Sequence, residues 1–325
     1  MKSWKRFWIS TLSVGIGLSV FAAYAEEISV ITTFVPVYSW AKGAAGESAN
    51  VENLLDGAVG PHEFQLTPGN VRKLNSADLI ICIGLDLEPW LEAMEAQGAL
   101  KKEVKLLKLG EKLDKDELIK YCESIEEEHA HSGEAKEQNG REEDHSHTHS
   151  HGEYDPHIWL DPILAQKCTE LIAGELGLLR PEKSDDFKKN AQEYCKRLET
   201  LDKELQEGLK NIKDKSFYTM HNAFAYFNKR YGLKCAGVLQ EVPDTNVSPR
   251  HLSELLKKIE SERVSAILVP SADERNRMVR QMARDGGLEI GILETLETLD
   301  DGALNVEAYE RMIRSNLKVL QRVLK

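Results

Sequence analysis

Positive charge is the scarcer sign: the 325 residues carry 42 Lys and Arg against 54 Asp and Glu, a formal net charge of −12. So acidic a chain lacks the basic surface that neutralises phosphates, which argues against nucleic acid as a partner. Cysteine is sparse as well. Cys82, Cys122, Cys168, Cys195 and Cys235 are odd in number and form no Cys-x-x-Cys pair, so at least one thiol has no partner within the chain. Cys82 and Cys235 lie in apolar strand-like runs and read as buried thiols, whereas Cys168 with Cys195 is a pairing that an oxidising compartment permits. Neither His-Glu-x-x-His nor Gly-x-Ser-x-Gly occurs, which removes common signatures of zinc proteases and serine hydrolases.

Long apolar runs are missing too, with one exception at the start. Lys2, Lys5 and Arg6 precede the run Phe7 to Phe21, and Ala23-Tyr24-Ala25 then gives a small-x-small cleavage pattern before Glu26. The run is short for a bilayer span of roughly 20 residues. Residues 1–25 are therefore expected to be a cleaved signal peptide, and no Cys follows to carry a lipid. The mature chain is expected to be a soluble periplasmic protein.

What remains is ordinary globular material, 41% hydrophobic and 30% charged, long enough for roughly two domains. Short apolar runs alternate with helical periodicity. Strands are expected at 28–34, 51–55, 79–84 and 104–109, with helices at 37–45, 87–97 and 163–179. A second such series has strands at 217–220, 235–239, 265–269 and 289–293, and helices at 223–230, 252–260, 275–283 and 306–324. Between them, Phe187, Ala191, Tyr194, Leu198, Leu201, Leu205 and Leu209 recur every three or four residues, the pattern of one long amphipathic helix. The expected fold is α/β: two open lobes with mainly parallel sheets, at 26–181 and 214–325, joined by a backbone helix over 182–213.

One segment fits neither lobe. Residues 123–153 hold His129, His131, His145, His147, His149 and His151 among many acidic residues and almost no apolar ones. Such a composition cannot offset its ordering entropy and reads as a mobile loop in the first lobe that binds metal weakly.

Four histidines lie outside it. His62 sits in Gly60-Pro61-His62-Glu63-Phe64, just past a strand, and His157 in Asp155-Pro156-His157-Ile158-Trp159-Leu160-Asp161-Pro162, just before a helix. His221 follows a strand directly in Met220-His221-Asn222-Ala223-Phe224, while His251 starts a helix beside Arg250 and reads as a surface residue. Ligands of open α/β sheets collect at the carboxyl ends of strands, so the first three can face one cleft.

These stretches, with Ser76-Ala77-Asp78-Leu79-Ile80, Arg230-Tyr231-Gly232-Leu233 and Leu299-Asp300, resemble the cluster A-I solute-binding proteins of ABC importers for zinc and manganese. The resemblance covers essentially the whole mature chain. It implies a non-enzymatic, monomeric protein that holds a metal ion between two lobes and delivers it to a membrane permease. It also implies His62, His157, His221 and Asp300 as the ligands. The chain has Asp300-Asp301-Gly302-Ala303 where such proteins often carry Asp-Pro-Leu-Gly, so Asp301, Glu63 or a water remains open for the fourth place. A His-rich loop before the second ligand resembles the zinc-specific branch. Three imidazoles and a carboxylate suit tetrahedral Zn2+, whereas manganese prefers more oxygen. Manganese or iron transport within the same family is the alternative, with a secreted zinc-dependent hydrolase behind it.

Overall fold

The computed structural model describes residues 27–121, 152–240, 248–299 and 302–325. The expected signal peptide and most of the His-rich segment lie outside these residues. Among the described residues no helix is long and apolar enough to cross a membrane.

The central strands form where the sequence is apolar on both faces. In β3 (Leu79–Cys82) all four residues are buried, as a parallel strand covered by helices on each side requires. It pairs in parallel with β1 (Ile28–Thr32) and β4 (Lys105–Lys108), and β1 pairs with β2 (Ala49–Asn53), giving the order β2-β1-β3-β4. The second sheet repeats this order with β5 (Ser216–Thr219), β6 (Lys234–Val238), β7 (Val264–Val269) and β8 (Glu289–Ile292), as β6-β5-β7-β8, again all parallel. The strand expected at 51–55 begins two residues earlier, because Ala49 is the register partner of Ile28.

Helices α1 (Val35–Ala45), α2 (Pro68–Leu74), α3 (Pro89–Ala96) and α4 (Pro162–Leu179) belong to the first series. The sequence reading did not anticipate α2. It buries only Leu74, so it carries almost no periodic signal, and a reciprocal cap between Thr67 and Asn70 fixes its start. Asp161 caps α4 by accepting from the Ile163 N–H at 2.7 Å, and Pro181, lacking an N–H, follows its end. The long helix α5 (Ser184–Leu209) buries the expected stripe, Phe187, Ala191, Tyr194, Leu198, Leu201, Leu205 and Leu209. Phe187 and each leucine of the stripe contribute roughly 1.5–3 kcal/mol relative to exposure.

Helices α6 (Ala225–Tyr231), α7 (Pro249–Lys258), α8 (Arg277–Gly286) and α9 (Ala308–Val323) complete the fold. The last one crosses back to the first lobe. Tyr309 meets Trp40 of α1 edge-on at 5.6 Å between ring centres, and Ser39 Oγ donates to the Asn305 carbonyl at 3.3 Å. One hydrophobic core therefore runs from the first sheet through α5 into α9, and a smaller one around Tyr218, Leu239, Ile267 and Val279 fills the far side of the second sheet.

Two smaller expectations are corrected, and one pairing left open is not formed. Cys168 and Cys195 are free thiols, and Cys195 Sγ faces the Gln166 carbonyl at 3.6 Å. Cys235 is half-buried, not buried. His251 is no plain surface residue: it is half-buried, with Nε2 2.8 Å from the Val238 carbonyl at the end of β6.

At the carboxyl end of the first sheet, Glu88 is 1% exposed. Its carboxylate accepts from Thr33 Oγ1 at 2.8 Å, Ile83 N at 3.1 Å and Gly84 N at 3.0 Å, tying the ends of β1 and β3 together. Burial pushes its pKa up to about 7, with those hydrogen bonds opposing the rise. The fold thus binds this proton more tightly than the unfolded chain does. The stabilisation is full below the ordinary value near 4.5 and is lost as pH rises toward about 7. Glu88→Gln should therefore be more destabilising at pH 5 than at pH 8, by on the order of 3 kcal/mol. Urea midpoints at the two pH values check this, and an equal penalty at both would contradict it.

Candidate metal centre

His62, His157, His221 and one further side chain converge at the carboxyl ends of the strands. His62 lies in the loop after β2, where Trp90 Nε1 donates to the Pro61 carbonyl at 2.9 Å and the Phe64 ring stands edge-on to the Trp90 indole. His157 is held by its neighbour. Asp155, fully buried, accepts from the His157 backbone N–H at 2.9 Å and faces Nδ1 at 2.7 Å. A carboxylate accepts only, so this bond places the ring proton on Nδ1 and leaves the Nε2 lone pair free for a cation. Asp155 is anchored in turn by its N–H to the Ile119 carbonyl at 2.8 Å and by Tyr226 Oη, which donates to the Asp155 carbonyl at 2.8 Å. His221 stands two residues past β5, with the Met220 N–H held by the Leu268 carbonyl of the adjacent strand at 3.2 Å.

The further side chain is Glu297, in the loop after β8. Its Oε1 lies 3.7 Å from both His157 Nε2 and His221 Nε2. The ligand atoms of His62, His157 and Glu297 all lie within 4.8 Å of one another. Ring centres are 5.5 Å apart for His62 and His157, and 5.9 Å for His157 and His221. Donors around a tetrahedral zinc ion at roughly 2.0–2.1 Å sit about 3.4 Å apart, close to the two 3.7 Å separations. His157 Nε2 and Glu297 Oε1 are buried with no hydrogen-bond partner among the described residues. Orphaned polar atoms cost about 1–3 kcal/mol each, and a shared cation removes that penalty for both.

The electrostatics fit a cation. Burial alone would raise the Glu297 pKa, but the pull of His221, His62 and His157 outweighs it and holds the carboxyl down at about 2. Burial works to lower His157, yet the charge and hydrogen bond of Asp155, with Glu297 beyond, leave it above the ordinary imidazole value.

Of the residues singled out from sequence, His62, His157 and His221 are thus brought together. Asp300 and Asp301 lie outside the described residues, as do His129, His131, His145, His147, His149 and His151. Glu63 is exposed and stands outside the cluster. Glu297 was not singled out. It is one of 54 acidic residues, in the unremarkable run Leu293-Glu294-Thr295-Leu296-Glu297, and only its place after the last strand of the sheet hinted at a site.

Comparison with known proteins agrees with this geometry. The chain is 32% identical over 297 residues to the zinc-binding lipoprotein AdcA of Streptococcus pneumoniae R6, covering 91% of this chain and 55% of that protein. It thus spans about half the length of the streptococcal relatives it matches. It is 30% identical over 274 residues to the high-affinity zinc uptake system protein ZnuA of Bacillus subtilis, covering 84% of this chain and 80% of that one. The crystal structure of Zn(II)-bound AdcA from S. pneumoniae superposes with a TM-score of 0.70 at 29% identity, over 92% of this chain and 58% of that one. Residues 30–323, which hold both sheets, the linking helix and all four converging side chains, match a single family throughout, and the chain belongs to it: ZnuA, zinc-uptake complex component A, periplasmic.

Proposed function

We propose that this chain captures one zinc ion between its lobes, outside the cytoplasm, and hands it to the membrane permease of an ABC importer. The observation that carries the reading is the convergence of three imidazoles on one buried carboxylate, with His157 Nε2 and Glu297 Oε1 otherwise unpartnered. His62, His157 and His221 are the nitrogen donors and Glu297 the oxygen donor. Three nitrogens and one oxygen match zinc, and manganese binds such nitrogen-rich sets more weakly. A carboxylate in the fourth place fills the position that a catalytic zinc keeps for water, which favours a binding protein over a hydrolase. The chain works in this reading as a monomer. On composition alone, the histidines from His129 to His151 form a second, weaker zinc-collecting tract.

Metal analysis of the untagged protein, with calorimetric titration after chelation, tests the proposal. One tightly held zinc per chain is expected, retained against a roughly hundredfold excess of manganese. A chain that binds manganese as tightly as zinc, or no ion tightly, would sink it. Glu297→Gln and Asp300→Asn measured side by side decide which carboxylate is the fourth donor.

A further inference from the structure

Trp159 touches both halves of the site. It is fully buried, its ring centre lies 5.0 Å from that of His157, and its carbonyl accepts from Tyr309 Oη at 2.8 Å. Its indole N–H reaches across to the second lobe and donates to the Thr295 carbonyl at 2.7 Å. Thr295 is two residues before Glu297. Two residues after it, the Leu299 N–H donates to the Gly57 carbonyl of the first lobe at 3.0 Å. The strap 295–299 thus leaves the second sheet but is hydrogen-bonded at both ends to the first lobe. The first lobe is shaped to receive it. A Cβ at Gly57, whose φ is +87°, would lie 2.6 Å from Leu299 Cβ, and one at Gly60 would lie 3.0 Å from Glu297 Oε2. The mutually close donor set is correspondingly His62, His157 and Glu297, whereas His221 approaches through Glu297.

We infer that Trp159 is a positioning residue for the metal site, holding Glu297 on the first lobe so that three donors form one half-site and His221 alone closes from the second lobe. This rests on the reading of those four residues as the metal site. Trp159 acts through the Thr295 carbonyl, not by touching the ion. An incoming ion meets three donors already fixed relative to one another, and the fourth completes the shell. Release reverses the order, with His221 leaving first.

The test is zinc affinity of the full chain, measured by chelator competition, with Co(II) as a spectroscopic probe. Trp159→Phe keeps an aromatic ring and removes the N–H. It should weaken zinc by about ten- to hundredfold, the effect typical of lost outer-shell support. In a Glu297→Gln background the same change should cost less than about twofold, because the group being positioned is already disabled. The Co(II) ligand-field bands of Trp159→Phe should shift toward those of Glu297→Gln. If the smaller ring prevents folding, 3-benzothienylalanine at position 159 replaces N–H by sulfur at nearly constant volume and carries the same expectation. Unchanged affinity in these variants, or an equal loss with and without Glu297, overturns the inference. Failure of the underlying site would look different: His157→Ala would then bind zinc as the parent does.

Discussion

Replacing His157 with alanine should lower zinc affinity by a hundredfold or more. Four-donor zinc sites bind with about 10–16 kcal/mol, so one donor carries roughly 3 kcal/mol, about two orders of magnitude. His157 should be the most sensitive of the three histidines, because it is 4% exposed and its Nδ1 is held at 2.7 Å by the fully buried Asp155. Removing it also takes the ring N–H away from Asp155, leaving that carboxylate only the backbone N–H of residue 157. Asp155→Asn tests the supporting part separately. The neutral amide holds the Nδ1 proton less firmly, and a loss of about ten- to hundredfold is expected. The pH profile should move with it. Asp155 helps hold the His157 pKa above its ordinary value, so protons compete with zinc from a higher pH in the parent than in Asp155→Asn. Chelator competition limited to the tightest ion measures both variants. If His157→Ala bound within about threefold of the parent, the site assignment would fall.

The second large effect concerns stability. Arg230 Nε lies 2.6 Å from Asp202 Oδ1 of α5 and 3.3 Å from Asp161 Oδ1 at the start of α4, so one guanidinium on α6 joins both lobes and the linking helix. Tyr231 Oη also donates to Asp202 Oδ1, at 2.9 Å, and Gln206 Nε2 to Oδ2, at 2.7 Å. Burial already pushes the Asp161 pKa up, with Arg230 opposing the rise. Arg230→Ala would leave two largely buried carboxylates facing each other without their cation. Breaking a buried pair costs about 3–5 kcal/mol; Arg230 is 23% exposed, so roughly 2–4 kcal/mol is expected here. In the metal-free protein that lowers Tm by about 5–15 °C. Asp202→Asn in the same chain should recover part of the loss, because it removes one stranded charge. A Tm within about 2 °C of the parent would show the cluster to be energetically idle.

Much of this was legible in the residues themselves, for reasons that differ from element to element. Leu79–Cys82 and Val264–Val269 announce buried parallel strands because apolar residues occupy both faces. The stripe of α5 declares a helix buried along one side, since its spacing fits no strand. His62, His157 and His221 stood out because histidine is rare outside the acidic segment and each lies at an element boundary. Glu297 did not. A carboxylate in an acidic chain carries no local mark, and its role depends on a strap that contacts Trp159 and Gly57, residues 136 or more positions away. The same applies to Arg230, whose two carboxylate partners lie at the start of α4 and within α5. Long-range polar contacts leave no periodicity to read.

The return of α9 to the first lobe has a mechanical consequence. Two bodies linked by one rod can swing and twist about it in any direction. Here α5 runs from one body to the other, and the terminal helix with the turn before it, through Tyr309 on Trp40 and Asn305 on Ser39, fastens the second body to the first again. Attachment along two lines resists twisting and favours one coordinate, a swing about the edge where the helices lie. Displacement along that coordinate grows with distance from the axis, as along a lever arm. The hinge-side core should move little, while rim loops of the second lobe not tied down by the 295–299 strap should move most. Such single-coordinate domain motions run on the microsecond-to-millisecond scale, and relaxation-dispersion signals should be strongest on the loops at that rim, with α5 and α9 quiet.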